Sequence, residues 1–481
     1  MPGLPPANRR SRLPDFTSGG ALTAEQRDVL DAHGVLRFKG FADRSAERSL
    51  PASSRPRAPA RAEGTGDMTT AAPRPKTPFT PYQRRLFWFL SVASFFEGYD
   101  YLALTQILPN FGAEMGLAAR HEGLLVGFIN AGTMIAYLLV RKADEWGRRR
   151  VLTITIAGYT VFSVLTGFAP NVYVFAICQL LARIFLLGEW AVSMVYAAEE
   201  YPSDRRGMVI GVIQAFSSLG SIVCAGVVPL LLTTPYGWRS VYFVGGIPLV
   251  LMAIARRGLR ETARFEQAAA ERQGEGPQPF LRIWRSPYRR RMLQLALIWG
   301  LTYVCTQNAV TFWKTFALRE RGFTDAEVGA SITFAAVVSM PLIFVSGKLL
   351  DVVGRRRGAV IIYVLAAGGV LGAYSLGTRA GLTAALVFAI FGASGVLPVL
   401  NAYMSELFPT HLRSDALAWS NNLLGRIGYL LSPIAVGLAA EEVGWGPAVS
   451  ATSIFPLFAL ALILWLLPET RGKELEETAR V

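Results

Sequence analysis

Long apolar stretches, each of about 20 residues, fill most of this 481-residue chain and limit its fold more than any other feature. A helix needs roughly 20 residues to cross about 30 Å of hydrocarbon. Backbone polar groups find no water in lipid, so such stretches must be helical. The sequence predicts twelve of them, at 86–108, 122–140, 151–169, 172–198, 207–233, 238–255, 292–316, 327–350, 358–377, 381–405, 414–440 and 445–467. We therefore expect an all-α polytopic membrane protein.

Composition excludes several other classes of protein. Hydrophobic residues make up 52% of the chain and charged residues only 17%, too apolar a mixture for a soluble core of ordinary size. The net charge of +14 lies in short loops rather than on one basic face, so we expect no nucleic-acid partner. The sequence shows no His cluster, no nucleophile beside a base and no phosphate-binding loop. We expect no enzyme activity, no cofactor and no metal.

The distribution of basic residues predicts the orientation in the membrane. Lys and Arg concentrate in the loops that follow segments 2, 4, 6, 8 and 10. The alternate connections hold only five Arg, namely Arg120, Arg239, Arg319, Arg321 and Arg379. Cytoplasmic loops carry the excess of Lys and Arg. We therefore expect a multi-pass protein of the cell (inner) membrane with both termini in the cytoplasm.

Composition also divides the chain into five regions. Residues 1–84 are rich in Arg, Pro, Ala and Ser and predict a disordered cytoplasmic tail. Within them, residues 21–43 resemble the opening of the phytanoyl-CoA dioxygenase family, and Met68 is an alternative start. Two six-helix bundles are expected at 85–255 and 292–467, with a cytoplasmic tail at 468–481. The basic linker at 256–291 either lies against anionic headgroups or is simply solvated.

An internal repeat relates the two bundles. Asp144-Glu-Trp-Gly-Arg-Arg-Arg matches Asp351-Val-Val-Gly-Arg-Arg-Arg at a shift of 351 − 144 = 207 residues. The same shift pairs Glu199 with Glu406, Pro202 with Pro409, Arg206 with Arg413 and Trp238 with Trp445. Repeats separated by an even number of helices are parallel, and such halves are related by an axis along the membrane normal. We expect two parallel six-helix pseudo-repeats in one monomer, with a solute site between them.

The repeated loops also carry a family resemblance. The loop from Gly347 to Arg357 resembles the signature G-x-x-x-D-x-x-G-R-R of the major facilitator superfamily. Its first copy departs from that pattern at Val140 and Glu145. The segments 405–413 and 468–477 resemble motifs of sugar porters and metabolite symporters. The resemblance spans about residues 85–477 and implies a secondary transporter.

Charged residues recur at the predicted cytoplasmic helix ends of both halves. They are Asp144, Arg148, Glu199 and Arg206 in the first half, and Asp351, Arg355, Glu406 and Arg413 in the second. Ion pairs across helices that form in one conformation and dissolve in the other would make a latch for alternating access. The alternative is that these residues only fix orientation in the membrane.

Two acids fall near the middle of segment 1. Glu97 and Asp100 share one helix face at i, i+3 spacing, and ionisable groups at that depth are functional candidates. The pattern resembles the D-G-x-D of aromatic acid:proton symporters, with Glu97 at the place of the first Asp. In segment 4, Arg183 matches the arginine of a family motif, and the resemblance implies that it pairs with Glu97 or Asp100. Either this group couples transport to protons, or the salt bridge is purely structural.

Other polar or aromatic residues in the apolar segments are candidates for binding a solute. Arg426 either neutralises a carboxylate substrate or binds a neighbouring helix. The remaining candidates are Trp190, Tyr303, Gln307, Asn308, Asn401, Asn421 and Asn422. Each of these side chains can hydrogen-bond or stack on a solute in an apolar cavity, or can instead make an interhelical contact.

We interpret the chain as a proton-coupled symporter of a small organic metabolite, most simply an organic or aromatic acid. The acids and Arg183 favour that reading. A sugar-type porter is the first alternative, favoured by the Pro468-Glu-Thr-Arg tail. A proton antiporter would use the same buried charges, and a non-transporting solute sensor is a further alternative.

Overall fold

The computed structural model describes residues 78–255, 259–262, 265–266, 281–472 and 478. All regular structure within these residues is helical. The expected tail up to residue 77, the Met68 start and most of the linker lie outside the described residues, as does the end of the C-terminal tail.

Six long helices form the N-terminal half. They are α1 (Pro81–Glu114), α2 (Ala119–Arg141), α3 (Arg148–Gly167), α4 (Val172–Glu200), α5 (Ser203–Leu232) and α6 (Arg239–Ala255). A one-turn helix, Ala143–Trp146, precedes α3. The helices α1 and α5 pack along each other, as do α3 and α4.

Six further helical spans form the C-terminal half, after a short 3-10 helix at Arg282–Arg285. They are α7 (Arg289–Thr311, continued by Trp313–Arg321), α8 (Asp325–Val353), α9 (Arg355–Ser375), α10 (Arg379–Glu406), α11 (Thr410–Val443) and α12 (Trp445–Leu466). The helix α11 contains a π-helical stretch, Ala418–Gly425, and α12 is interrupted between Ala451 and Ile454.

Nine helices in the described part of the chain are long and apolar enough to cross a membrane. These nine are α2, α3, α4, α5, α8, α9, α10, α11 and α12, while α6 has a shorter apolar stretch at Arg239–Val250. Many large apolar side chains are exposed on the surface of the protein, for example Leu230, Phe344 and Trp465. Apolar side chains on the outer surface are expected where lipid, not water, surrounds the protein.

Local sequence explains where several helices begin. Thr80 caps α1 in a reciprocal capping box with Gln83, and Pro81 takes the first helical position. Thr324 and Glu327 form the same box at the start of α8. The turns into α3 and α9 need backbone with positive φ, supplied by Gly147 (φ 91°) and Gly354 (φ 101°). These glycines occupy equivalent positions of the repeat.

The two halves meet through α2 against α11 and α5 against α8. We call the end of the molecule that holds Arg148–Arg150 and Arg355–Arg357 the basic face, and the other end the opposite face. On the opposite face, a Cβ added to Gly123 of α2 would lie 2.7 Å from the Cα of Gly437 in α11. A Cβ added to Gly329 of α8 would lie 2.6 Å from the carbonyl oxygen of Ala225 in α5. The backbones of the two halves are therefore in close contact there.

Candidate functional site

A cavity of about 350 Å³ lies between the two halves. Most of its wall is apolar, with side chains such as Ile332, Ile390 and Val126. The polar side chains in the wall come from both halves: Tyr101, Thr105, Asn130, Arg183, Ser218 and Ser221 from the first, and Thr306, Gln307, Thr311, Ser339, Ser394 and Tyr429 from the second. An apolar cavity with a few convergent polar groups is the usual form of a small-molecule site.

Arg183 is the charged residue of this wall, and no carboxylate lines the cavity within the described part of the chain. Its side chain is only 6% exposed. The guanidinium lies over the Tyr101 ring, 4.9 Å from the ring centroid, and its Nη1 has no hydrogen-bond partner among the described residues. The cavity therefore presents a buried positive charge with unused hydrogen-bonding capacity.

A row of tyrosines and arginines extends from Arg183 across the boundary between the halves. The hydroxyl of Tyr101 on α1 lies 2.7 Å from the hydroxyl of Tyr429 on α11. The guanidinium of Arg426 lies 4.8 Å from the Tyr429 ring centroid and 5.1 Å from that of Tyr303. These distances are typical of cation–π contacts. Two arginines thus flank a pair of hydrogen-bonded tyrosines.

The two acids predicted for proton coupling lie behind the cavity rather than in its wall. Glu97 is 8% exposed, and its Oε2 has no hydrogen-bond partner among the described residues. Arg183 is close enough to act electrostatically on both Glu97 and Asp100. No nitrogen of Arg183 comes within 4.0 Å of either carboxylate, so the expected ion pair is absent from this conformation.

A third buried acid joins this cluster and was missed by the sequence reasoning. Glu189 on α4 is 2% exposed, accepts a hydrogen bond from the Ser193 hydroxyl at 2.6 Å, and acts electrostatically on Glu97. Its signal was an ionisable residue within an apolar segment, six positions after Arg183. The group therefore contains a third carboxylate, which lies close enough to act on Glu97.

Only one of the predicted solute contacts lines the cavity. Gln307 does so, and its amide donates to the Thr311 hydroxyl at 3.3 Å. The amide of Asn308 instead donates to the carbonyl of Val304 and to the hydroxyl of Ser432, which ties α7 to α11.

The other predicted contacts lie elsewhere. Asn421 accepts a hydrogen bond from the Tyr303 hydroxyl at 2.8 Å, and Asn401 is exposed on α10. The remaining candidates outside the cavity wall are Trp190, Asn422, Tyr303 and Arg426. Sequence reasoning could name polar residues in apolar helices, but not the face from which each one projects.

The predicted latch residues of the N-terminal half pair within that half. Arg148 donates from Nε and Nη2 to Oε1 of Glu199, at 3.2 and 3.1 Å. The Thr262 hydroxyl donates to the other oxygen of Glu199 at 2.5 Å, and the carboxylate of Glu261 accepts the backbone N–H of Arg148. Arg206 donates to the carbonyl of Tyr201, and the side chain of Asp144 lies outside what the structure describes.

The C-terminal half repeats this arrangement. Arg355 donates to Glu406 at 3.2 and 2.8 Å and to Asp351 at 2.7 Å, while the Thr470 hydroxyl donates to Glu406. Arg413 donates to the carbonyl of Phe408. Glu261-Thr262 corresponds to Glu469-Thr470 at a shift of 469 − 261 = 208 residues, one more than the 207 residues of the repeat. This pair of segments was not identified from the sequence as part of the repeat.

The carboxylate of Glu469 caps the start of α9. Burial alone would raise its pKa, but backbone N–H groups of Arg356, Arg355, Arg471 and Thr470 outweigh burial and hold the pKa of Glu469 below its usual value. The segment after α12 is therefore fastened to the loop between α8 and α9.

Two ion pairs between the halves lie on the opposite face. Arg319 at the end of α7 donates to both carboxylate oxygens of Glu122 on α2, with Nη1 to Oε2 at 3.1 Å. Glu122 is fully buried. A peripheral pair, Arg120 with Glu441, joins α2 to α11 at 3.7 Å.

A smaller polar group joins α1 to the C-terminal half on the same face. The Asn110 amide donates to Asp325 at 3.4 Å, and Lys314 pairs with the same carboxylate at 2.5 Å. Sequence reasoning sought a latch only on the basic face and missed these contacts, whose partners lie far apart in the chain.

Comparisons with known proteins agree with this architecture. A relative named as a probable 4-methylmuconolactone transporter, from Cupriavidus pinatubonensis, is 29% identical over 82% of this chain and 93% of its own length. A gallate transporter of Pseudomonas putida is 27% identical over 80% of this chain and 92% of its own length. A bacterial homologue of the human lysosomal transporter Spinster, solved inward-facing and occupied, shares the fold with a TM-score of 0.68 at 15% identity. That match covers 81% of this chain and 97% of the homologue.

The family assignment rests on most of the membrane-spanning part. Residues 90–423 and 305–480 match the sequence profile of the Major Facilitator Superfamily. The resemblance seen in the signature loops is thereby confirmed, and so is the expectation of a protein that is not an enzyme. This chain belongs to the major facilitator superfamily and is a multi-pass membrane transporter of small solutes.

Proposed function

We propose that this transporter moves a small organic acid together with protons across the cell (inner) membrane by alternating access. The observation that carries the proposal is Arg183, a buried guanidinium in the cavity wall with no carboxylate beside it in that wall. An arginine cannot lose its proton in a protein, and a buried donor without an acceptor is costly. A solute carboxylate entering the cavity would supply an acceptor for Nη1 of Arg183, which has none among the described residues.

The apolar remainder of the wall suits the hydrocarbon part of such an acid. The relatives named for 4-methylmuconolactone and gallate support a small metabolite of this kind. A sugar would hydrogen-bond the polar wall residues but would offer Arg183 no charged acceptor. The organic acid is therefore preferred over the sugar-type solute.

The proton route in this proposal runs through the acids behind Arg183. Arg183 acts electrostatically on Glu97 and Asp100, and Glu189 acts on Glu97. One cation can compensate one carboxylate, so the other acids of the group are candidates for carrying protons. A solute carboxylate that binds Arg183 would compete with these acids for the same cation, and this competition would couple solute binding to proton binding.

Alternating access is supported by where the halves touch. The close contacts at Gly123 and Gly329 and the ion pair between Glu122 and Arg319 lie on the opposite face. On the basic-face halves of α5 and α8, Gly211 and Gly347 have no heavy atom outside their own helix within 4 Å of an added Cβ. With the basic face taken as cytoplasmic, this conformation is closed to the outside.

The test is uptake into proteoliposomes of radiolabelled carboxylates, their uncharged amides and sugars, with and without an imposed pH gradient. We expect accumulation of at least one acid driven by an inward proton gradient, and none of its amide. Arg183→Gln should abolish uptake of that acid, whereas Arg85→Gln, an exposed arginine on the basic face, should leave uptake unchanged. Uptake of sugars but of no acid would refute the proposal.

A further inference from the structure

We propose that the hydroxyls of Tyr101 and Tyr429 form, with Arg183, the binding site for the solute's carboxylate, and that Arg426 acts as a positioning residue for Tyr429. This inference rests on the proposed organic-acid substrate and assigns the residues that recognise it. Of the two alternatives stated for Arg426, it adopts the contact with a neighbouring helix, made through Tyr303 on α7, rather than contact with the solute.

The hydrogen bond between the Tyr101 and Tyr429 hydroxyls leaves one hydroxyl hydrogen available. The two oxygens lie 2.7 Å apart, and both tyrosines line the cavity. Each hydroxyl carries one hydrogen and can also accept. One hydrogen is used between the two tyrosines, and neither hydroxyl has a further hydrogen bond among the described residues. The hydroxyl that accepts in the bridge therefore keeps its own O–H for a ligand.

Arg183 is placed to share that ligand. Its guanidinium stacks on the ring of Tyr101, which puts the cation and the hydroxyl pair on neighbouring parts of the same wall. The unpartnered Nη1 of Arg183 and the remaining O–H are both donors. A carboxylate is a pure acceptor with two oxygens, so a single carboxylate matches both donors.

Arg426 approaches this site only through aromatic rings. It lies between Tyr303 and Tyr429, at 5.1 and 4.8 Å from their centroids, and is absent from the cavity wall. Such contacts restrain a ring without consuming its hydroxyl. The cation therefore holds Tyr429 in the orientation in which its hydroxyl meets that of Tyr101.

The bridge also relates binding to conformation, because Tyr101 belongs to the N-terminal half and Tyr429 to the C-terminal half. The carboxylate site is complete only while the two halves keep this register at the cavity. A cavity of about 350 Å³ is at the small end for ligand sites, which favours an acid with a single ring or a chain of similar size.

The experiment measures equilibrium binding of single-ring acids and their amides, starting with benzoate, nicotinate and gallate, to the purified full-length protein in detergent. Tyr101→Phe and Tyr429→Phe should each weaken binding of the best acid about tenfold or more, as for a lost hydrogen bond to a charged group. The double variant should be no worse than either single variant, since the two hydroxyls act as one unit. Tyr303→Phe is the matched control, because its hydroxyl binds Asn421 outside the cavity, and it should bind normally.

Arg426 is tested in two backgrounds. Arg426→Gln should weaken acid binding in the wild-type protein but have no further effect in Tyr429→Phe, and Arg426→Lys should restore part of the loss. If Arg426→Gln weakened acid binding equally in the wild-type and Tyr429→Phe backgrounds, Arg426 would contact the solute directly. That result would overturn the positioning role. Normal acid binding by both Tyr→Phe variants would overturn the hydroxyl site while leaving the proposed function standing. Failure of the wild type to bind any acid better than its amide would refute the proposed function itself.

Discussion

Arg319→Gln should open the face on which the two halves now meet. Arg319 and Glu122 come from different halves, and both oxygens of the buried carboxylate accept from this one guanidinium. The pair can exist only while the opposite face is closed. Removing Arg319 leaves a buried carboxylate without its partner in this conformation, whereas Glu122 would be hydrated once that face opened.

The size of the effect follows from the burial of the pair. Breaking a buried ion pair costs about 3–5 kcal/mol. Because the Arg319 side chain is 33% exposed and that of Glu122 is 0% exposed, we take the lower end, about 3 kcal/mol. That cost corresponds to a shift of about 100-fold towards open conformations. Arg120→Gln is the matched control, since its pair with Glu441 is peripheral, at 52% and 39% exposure, and exposed pairs contribute about 0–1 kcal/mol.

The assay follows access to the cavity from the opposite face. Thr311 lines the cavity, so a Thr311→Cys probe in a background with Cys178, Cys224 and Cys305 replaced by Ser can be labelled with a membrane-impermeant maleimide in sealed vesicles. The labelling rate should rise by up to about 100-fold in Arg319→Gln. It should change little in Arg120→Gln. Equal rates in the two variants and their parent would refute the role assigned to this pair.

Three further predictions concern the acids, the basic face and the N-terminal tail. Asp100→Asn should abolish solute accumulation driven by a pH gradient yet spare counterflow exchange, and Glu97→Gln should have the same effect to a smaller extent. Solute accumulation by both variants would contradict proton coupling through α1. Asp351→Asn should lower turnover more than substrate affinity in initial-rate measurements, because it removes an acceptor of Arg355 rather than a solute contact; unchanged turnover would argue against a basic-face latch. Deletion of residues 1–67, so that translation starts at Met68, should leave expression and uptake intact, and loss of either would contradict a dispensable tail.

Sequence reasoning located the helices well because each must satisfy its own backbone in lipid. The break at Phe312 and the π-helical stretch at Ala418–Gly425 were not predicted. Near the π-helical stretch the two helices approach closely: a Cβ added to Gly428 of α11 would lie 2.3 Å from the carbonyl oxygen of Gly300 in α7. Such contacts leave no periodic signal in an apolar segment.

The site was predicted by residue type rather than by geometry. Arg183 was singled out because charge inside an apolar segment is visible in the sequence, and the structure buries this side chain. The neighbours of Arg183 were harder to infer. An apolar helix offers no polar face to orient it, so Tyr101 and Tyr429, which line the cavity, could not be distinguished from Asn401, which is exposed.

The residues predicted to form a cytoplasmic latch show a different limit of prediction from sequence. The repeat correctly identified matching charges, but the 207-residue shift relates equivalent positions and says nothing about which residues touch. In this conformation Arg148 and Arg355 bind acids of their own halves. The contact across the halves, Glu122 with Arg319, involves no repeated motif and required three-dimensional structure to find.

Solute-driven proton movement is the most direct test of proton-coupled acid transport through Arg183. Proteoliposomes containing a pH-sensitive dye and clamped at zero membrane potential are given an inward gradient of the transported acid, with protein-free liposomes correcting for passive entry. We expect proton entry with the acid in the wild type, and neither acid nor proton entry in Arg183→Gln. Protein-dependent acid entry without protons, or undiminished entry of both in Arg183→Gln, would contradict this expectation.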